Sequence, residues 1–237
     1  KVIQNALVSS SDQISFYPST KGTNALRESI ASWLCRRYTI PEEKLSPAEN
    51  ILPVNGTREA LFGISQALGD AMNRKYIAIP NPFYQIYEGA ALLAGAKPFF
   101  MPCPKSRNFL PHFESITPEV WKETSIVYIC SPNNPSGSIL DSSDYDYLTR
   151  MADTYNFIIV SDECYSEIYQ EESNPPLGIL EWCYRNDREG FDKCISVNSL
   201  SKRSGVPGLR SGFVAGDKKI IEKYFKYRTY QGGAMSL

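Results

Sequence analysis

The feature that most constrains the fold is a series of seven short apolar runs separated by segments with helical spacing. Several runs are continuously apolar, which is typical of parallel strands covered on both faces. Regular alternation of strands and helices predicts an α/β fold with a doubly wound, mostly parallel, seven-stranded sheet and helices on both faces. The predicted strands are Ile51–Val54, Tyr76–Ile79, Lys97–Met101, Ile126–Cys130, Phe157–Ser161, Cys194–Val197 and Gly212–Ala215.

The segments between these strands show apolar residues at helical spacing. The predicted helices include Asn24–Tyr38, a helix through Ala60–Leu68, Phe83–Ala94 and Asp141–Tyr155. Asp141 is a plausible N-cap, because an acidic residue follows three positions later. We interpret the first 20 residues as a mobile segment. Two stretches rich in proline and polar residues, Met101–Pro118 and Glu171–Pro176, are predicted to be surface connections.

Composition excludes several classes of function. The chain has 237 residues, of which 42% are hydrophobic, enough for one sizeable domain and a small appendage. A formal net charge of -1 gives no general electrostatic basis for binding nucleic acid or membranes. No apolar run approaches the ~20 residues that span a bilayer, and no signal peptide is apparent.

The cysteines and the single histidine also restrict the chemistry. Six cysteines without a CxxC pair indicate reduced thiols in a cytoplasmic protein. His112 lies in a proline-rich loop, and one histidine without clustered cysteines cannot form a zinc site. We therefore expect no metal centre.

Polar segments follow most of the predicted strands, at the edge where doubly wound sheets bind ligands. After the first strand, Asn55–Ala60 forms a glycine turn that opens a helix, and such a turn suits an anion. Aromatic residues of Pro80–Tyr84 follow the second strand, and the proline-rich turn Ser131–Gly137 follows the fourth. Asp162 ends the fifth strand, in a low-dielectric place that requires a cationic or hydrogen-bonding partner. Each segment alone also fits an ordinary turn or helix start, but together they favour a ligand site.

The sixth strand leads into a run of hydroxyl residues around Lys202, with Arg210 eight residues further on. A lysine at the mouth of a sheet can hold an aldehyde cofactor as a Schiff base while its neighbours hold an anionic group. A solvated turn is the alternative interpretation of this run taken alone.

In this order, the motifs resemble those of the class I/II aminotransferases, which are pyridoxal 5′-phosphate (PLP) enzymes of fold type I. The resemblance extends from about Tyr17 to the end of the chain, and its most similar subgroup is the N-succinyldiaminopimelate aminotransferases. The motifs that carry it are Tyr17…Gly22…Leu26-Arg27, Asn55–Leu61, Asn133–Gly137, Asp162–Tyr165, Ser199–Lys202 and Arg210.

The resemblance implies roles for five residues around the cofactor ring. Lys202 would bind PLP covalently and then move a proton during the reaction. Asp162 would pair with the ring nitrogen and keep it protonated, which makes the ring an electron sink. Tyr165 and Asn134 would form hydrogen bonds to the phenolic oxygen, and Tyr84 would stack on the ring. Lys202, Asp162 and Tyr165 are therefore the predicted catalytic residues.

The resemblance also implies which residues hold the cofactor phosphate. The phosphate would lie on the backbone of Gly56, Thr57 and Arg58, with Ser199 and Arg210 adding charge-assisted hydrogen bonds. Arg58 departs from relatives, in which a smaller or amide side chain is common; it is either solvated or a ligand of a carboxylate.

Tyr17 matches a tyrosine that reaches the phosphate of the neighbouring subunit, which implies a homodimer with shared active sites. Residues 1–22 would then lie near the dimer interface, and 23–237 would form the PLP-binding large domain. The resemblance further implies that the family's small C-terminal domain, which carries the arginine for the substrate α-carboxylate, is absent from this chain.

The implied activity is amino-group transfer by a ping-pong mechanism. The expected donor is glutamate, and the expected acceptor is N-succinyl-2-amino-6-oxopimelate, a keto acid with a distal carboxylate from lysine and diaminopimelate biosynthesis. Two alternatives remain open: another fold-type-I PLP enzyme such as a C–S lyase, and a non-catalytic sensor domain with an aminotransferase-like fold. We expect no nucleic-acid or membrane partner.

Overall fold

The computed structural model describes residues 1–69, 73–231 and 234–235, so residues 70–72, 232–233 and 236–237 of the predicted large domain lie outside the described residues. The described strands form one seven-stranded sheet in the order β1-β7-β6-β5-β4-β2-β3. Strand β7 runs antiparallel to its neighbours β1 and β6, whereas the other four pairs are parallel. The predicted fold class is therefore confirmed. The strands are β1 (Ile51–Val54), β2 (Tyr76–Asn81), β3 (Lys97–Pro102), β4 (Thr124–Cys130), β5 (Ile158–Asp162), β6 (Cys194–Ser199) and β7 (Gly212–Gly216).

The ends of two central strands bear directly on function. Strand β5 continues through Asp162 and strand β6 through Ser199, each beyond the predicted strand end. Asp162 pairs with Val197, and Ser199 pairs with Gly212 at the start of β7. Polar side chains thus lie within the sheet, at its carboxyl edge, rather than in the loops that follow.

Helices cover both faces of the sheet. They are α1 (Val2–Ser9), α2 (Asn24–Tyr38), α3 (Thr57–Leu68), α4 (Ile86–Leu93), α5 (Pro118–Lys122), α6 (Ser142–Tyr155), α7 (Ile179–Arg185), α8 (Leu200–Arg203) and α9 (Lys218–Gln231). The hydrophobic core has two layers. One contains apolar side chains of α2, α5, α6 and α7, and the other contains those of α3, α4 and α9. The residues of β4 alternate between them, since Val127 joins the first layer and Tyr128 the second.

Local sequence accounts for the two best predicted helices. At α2, the Thr23 hydroxyl accepts a hydrogen bond from the Leu26 N–H at 3.2 Å, which caps the helix at the predicted position. At α6, Asp141 and Asp144 form a capping box, in which the side chain of each residue accepts a hydrogen bond from the backbone N–H of the other.

The first 20 residues, predicted to be a mobile segment, contain helix α1 and a short 3₁₀ turn, and none of the side chains of α1 is buried. Two other predictions were wrong in part. The stretch Met101–Pro118 is not purely a surface connection, because Phe113 and Ile116 anchor it in the core. Helix α4 begins at Ile86 rather than Phe83, because the Phe83 ring leaves the helical path to pack on Phe100 of β3 at 5.5 Å.

Candidate active site

A cavity of about 470 Å³ opens at the carboxyl edge of the sheet, a volume in the range typical of small-molecule sites. Every predicted site residue except Gly56 and Tyr17 lines this cavity. The lining residues are Thr57, Arg58, Glu59, Tyr84, Asn134, Asp162, Cys164, Tyr165, Ser199, Ser201, Lys202, Pro207 and Arg210. The structure therefore brings together residues from five separate stretches of the sequence.

The buried end of the cavity is formed by Asp162, which is only 4% exposed. Its carboxylate accepts hydrogen bonds from the Tyr87 hydroxyl at 2.7 Å and from the Cys164 N–H at 3.2 Å. Among the described residues, no lysine, arginine or histidine forms an ion pair with it. Burial raises the pKa of Asp162, whereas its hydrogen bonds lower it. This carboxylate thus lacks the cationic partner that buried charges require.

Lys202 lies on the short helix α8, which directly follows β6. Its Nζ lies 5.8 Å from the centre of the Tyr165 ring. Within the described part of the chain this amine forms neither a hydrogen bond nor an ion pair with another side chain. The lysine that sequence predicts to be reactive is therefore exposed to the cavity and available to a ligand.

The other end of the cavity suits an anion. Gly56 precedes α3 with φ of 98°, and a Cβ at this position would collide with the Arg210 guanidinium. Arg210 forms an ion pair with Glu59 at 3.1 Å, and both side chains are 48% exposed. Ser199 is the N-cap of α8, where its hydroxyl accepts from the Ser201 N–H at 3.0 Å. The N–H groups of the first turn of α3, which have no acceptor within the helix, and a nearby arginine form a suitable phosphate site.

The aromatic wall of the cavity is formed by Tyr84. The Arg58 Nε donates to the Tyr84 hydroxyl at 2.7 Å, and the guanidinium lies 5.7 Å from the ring centre. The Arg58 side chain is thus exposed but held against Tyr84, at the margin of the cavity.

Sequence reasoning missed several residues around the site. Cys164 lines the cavity, and its Sγ lies 3.0 Å from the Thr57 hydroxyl, which links the end of β5 to the start of α3. Glu163 is 1% exposed and accepts four hydrogen bonds. Its donors are Tyr38 (2.7 Å), Ser161 (2.9 Å), Ser196 (2.7 Å) and the Ile179 N–H (2.8 Å). The only sequence signal for Glu163 was its position directly after Asp162.

Other predicted features lie away from the cavity. Tyr17 is fully exposed in the N-terminal segment, and His112 lies on an exposed loop 3.8 Å from Glu114. All six cysteines are free thiols. The described residues contain no cluster of side chains that could hold a metal ion. They also contain no helix with both the length and the apolar character needed to span a bilayer.

Comparison with known proteins assigns the family. The sequence profile described as "Aminotransferase class I and II" matches residues 1–229. The chain belongs to the class I and II aminotransferases. The cofactor of this family is PLP.

Curated relatives agree with this assignment, and the chain covers part of their length. LL-diaminopimelate aminotransferase of Halothermothrix orenii is 33% identical over 215 residues, which are 90% of this chain and 52% of that protein. The enzyme of the same name from Aquifex aeolicus is 32% identical over 216 residues, with the same coverage of 90% and 52%. The chain thus spans about half the length of these curated relatives.

Solved structures show the same fold. An aminotransferase from Neisseria meningitidis superposes with a TM-score of 0.93 at 48% identity, covering 100% of this chain and 59% of that one. The aminotransferase AspB from Helicobacter pylori superposes with a TM-score of 0.90 at 40% identity, covering 100% of this chain and 61% of the other.

The cavity fits PLP by the chemistry of its residues. PLP carries a phosphate, an aldehyde and a basic ring nitrogen. The cavity offers a helix start with Arg210, the amine of Lys202, and the buried carboxylate of Asp162 without a cation. A Cβ at Gly56 would meet the Arg210 guanidinium, so the glycine lets this arginine lie against the start of α3.

Proposed function

We propose that the protein is an aminotransferase that uses PLP to move an amino group between an amino acid and a 2-oxo acid. The observation that carries this proposal is the pairing, in one cavity, of a lysine and a buried carboxylate that have no ionic partner among the residues that the structure describes. A protonated ring nitrogen would supply the missing positive charge at Asp162, and the aldehyde would reach the Lys202 amine.

The reaction divides between two groups of the chain. PLP, when bound, supplies an electron sink for the negative charge that develops on the substrate α-carbon. Lys202 Nζ would first hold the cofactor and would then carry a proton to and from that α-carbon as a general base and acid. Asp162 would hold the proton on the ring nitrogen, because its ionised form would be stabilised by the opposite charge. In this division, Asp162 would control the charge of the ring and Lys202 would transfer the proton.

The remaining cavity residues would orient the cofactor. Tyr165 and Asn134 would donate hydrogen bonds to the phenolic oxygen, and Tyr84 would stack on the ring. The N–H groups of Gly56, Thr57 and Arg58 would hold the phosphate, with hydrogen bonds from Ser199 and Arg210. Arg210 would then exchange part of its contact with Glu59 for the phosphate.

We propose glutamate as the donor and N-succinyl-2-amino-6-oxopimelate as the acceptor. The curated relatives named above are LL-diaminopimelate aminotransferases, which supports diaminopimelate chemistry for this chain. Both proposed substrates carry a second carboxylate distant from the reacting carbon. Arg58 lies at the cavity margin, where it could accept such a carboxylate while it stays against Tyr84.

We also propose a homodimer with shared active sites. Residues 1–22 expose several large apolar side chains, a surface that a second copy of the chain would cover. These side chains are Val2 (84%), Leu7 (55%), Val8 (75%), Ile14 (82%), Phe16 (70%) and Tyr17 (102%). Tyr17 would reach the phosphate bound by residues 23–237 of the other copy. Six free thiols support a cytoplasmic location.

Transfer of isotopic label tests the proposal directly. Purified protein is incubated with PLP, ¹⁵N-glutamate and a series of 2-oxo acids, and the products are analysed by mass spectrometry. We expect 2-oxoglutarate and a ¹⁵N-labelled amino acid, with the highest rate for an acceptor that carries a distal carboxylate. Lys202→Ala is the matched control and should abolish transfer. Release of pyruvate and a thiol from a cysteine conjugate would instead indicate a lyase. PLP binding without any turnover of amino acids would indicate a sensor.

A further inference from the structure

We propose that Tyr87, which lies outside the cavity lining, is a positioning residue that keeps the Asp162 carboxylate ionised and directed at the ring nitrogen of the cofactor. This inference rests on the proposed function, because it concerns the partner that Asp162 would bind. It assigns a role to Tyr87, a residue of α4 that lies three positions after Tyr84.

The contact between Tyr87 and Asp162 is short and fully buried. The Tyr87 hydroxyl donates to Asp162 Oδ2 at 2.7 Å, and the side chains are 0% and 4% exposed. The other oxygen, Oδ1, accepts from the Cys164 N–H at 3.2 Å. Each carboxylate oxygen therefore has one fixed donor and retains a further acceptor position. This arrangement fixes the rotation of the carboxylate and leaves its cavity side for the ring nitrogen.

Tyr87 is itself held rigidly. Its ring stacks on Tyr128 of β4, with ring centres 5.0 Å apart and planes at 16°. The Tyr128 hydroxyl donates to the Leu61 carbonyl of α3 at 2.6 Å. On its other side, the Tyr87 ring meets Tyr84 edge to face at 5.9 Å and 83°. Tyr84, the proposed ring-stacking residue, is thus packed against Tyr87, and Tyr128 connects Tyr87 to α3.

The burial of Asp162 makes the hydrogen bond from Tyr87 important for the charge of the carboxylate. Burial raises the pKa of Asp162, and the bond from Tyr87 acts in the opposite direction. The titratable or charged groups around Asp162 are Tyr87 of α4, Cys130 and Tyr128 of β4, Cys164 and Tyr165 after β5, and, across the cavity, Arg58, Glu59, Lys202 and Arg210. Burial and the Asp162 charge raise the pKa of Tyr87, so its hydroxyl remains a donor near neutral pH.

The direction of the effect follows from these contacts. Removing the Tyr87 hydroxyl takes a donor from the ionised form of Asp162 and leaves that charge buried. The pKa of Asp162 must then rise further, so that protonation of the carboxylate begins at a higher pH. A protonated carboxyl cannot pair with a protonated ring nitrogen, and PLP should therefore bind more weakly.

Titration of Tyr87→Phe with PLP, followed by absorbance between pH 5 and pH 9, tests this inference. We expect affinity to fall about tenfold, the usual scale for a hydrogen bond to a charged group. The loss should grow as the pH falls. A PLP analogue with carbon in place of the ring nitrogen should bind both proteins equally, because Asp162 cannot pair with it. This comparison separates the proposed role from a general loss of packing.

Two further variants serve as controls. Tyr145→Phe removes a hydroxyl from an equally buried tyrosine that lies in the other core layer and donates to the Leu177 carbonyl at 3.2 Å. It should leave PLP affinity and its pH dependence unchanged. In an Asp162→Asn background, Tyr87→Phe should have no additional effect on affinity, which tests the coupling even if the single variant is unstable.

The outcomes separate this inference from the proposed function. If the unmodified protein does not bind PLP, the proposed function fails. If it binds PLP and Tyr87→Phe shows the same affinity at every pH, the positioning role is wrong. An equal loss of affinity for PLP and for the nitrogen-free analogue would also overturn it.

Discussion

The two ends of the cavity solve the problem of binding a charged ligand in different ways. At the ring-nitrogen end, Asp162 is 4% exposed and is held only by neutral donors. At the phosphate end, Arg210 is 48% exposed and already paired with Glu59. A buried charge interacts strongly with its partner but is costly without one, whereas an exposed ion pair is screened by water and salt. The buried end should therefore control the chemistry and make PLP affinity depend on pH, whereas the exposed end should contribute to affinity in a way that depends on salt.

Asp162→Asn gives the largest effect expected from this comparison. The amide keeps the size of the side chain but removes the charge that stabilises the protonated ring. We expect kcat to fall about 10²–10³-fold, the scale observed when a preorganised electrostatic group is removed from an active site. Steady-state kinetics at saturating PLP would measure it. A kcat within a fewfold of the unmodified value would contradict the role of the buried end.

Glu163→Gln tests the support beneath the same end. Glu163 accepts four hydrogen bonds on the opposite face of the sheet. In the glutamine variant, the side-chain N–H₂ group would face groups that donate hydrogen bonds to the carboxylate in the unmodified protein. The free energy of unfolding should fall by about 2–3 kcal/mol. Urea denaturation measures this, with Glu172→Gln as the control. Glu172 accepts one exposed hydrogen bond from Tyr169 and should change stability little.

Arg210→Gln should act at the exposed end with a smaller effect. Removing the cation should weaken PLP binding about tenfold at low salt, because a charge-assisted hydrogen bond to the phosphate is lost. The difference should shrink as salt is added. Equilibrium titration at two salt concentrations checks both expectations. Arg185→Gln, which removes an exposed arginine from a helical ion pair with the buried Glu181, should leave PLP affinity unchanged. A loss of PLP affinity that does not depend on salt would mean that salt does not screen the charges at the phosphate end of the cavity.

Glu59→Gln should have the smallest effect, with the opposite sign. Glu59 competes with the phosphate for Arg210, so its neutralisation should tighten PLP binding about two- to threefold. The same titration measures it, in parallel with Arg210→Gln. Weaker binding in this variant would show that Glu59 orients Arg210 for the phosphate rather than competing with it.

The sequence predicted the sheet, and which residues lie together at its edge, better than the contacts that these residues make. Apolar runs located all seven strands, and the position of each strand's carboxyl end placed Asp162 and Lys202 at one edge. The Asp141 cap was readable because its partners lie within three residues. These features depend on local sequence or on the general geometry of doubly wound sheets.

The missed features depend on long-range contacts. Tyr87 meets Asp162 across 75 residues of sequence, and Tyr38 meets Glu163 across 125. No periodicity reports such pairs, because a buried tyrosine gives the same apolar signal whether or not its hydroxyl has a partner. The helical residues of α1 were missed for a related reason, since none of their side chains is buried by the described domain.

The most direct test of the central claim is to find where PLP attaches. The protein is loaded with PLP, reduced with borohydride and digested, and the modified peptide is identified by mass spectrometry. We predict one modified residue, Lys202, whose modification is absent from Lys202→Ala and slower to form in Arg210→Gln. Attachment at a different lysine, or no attachment under conditions in which the protein is folded, would contradict the assignment of this cavity as the PLP site.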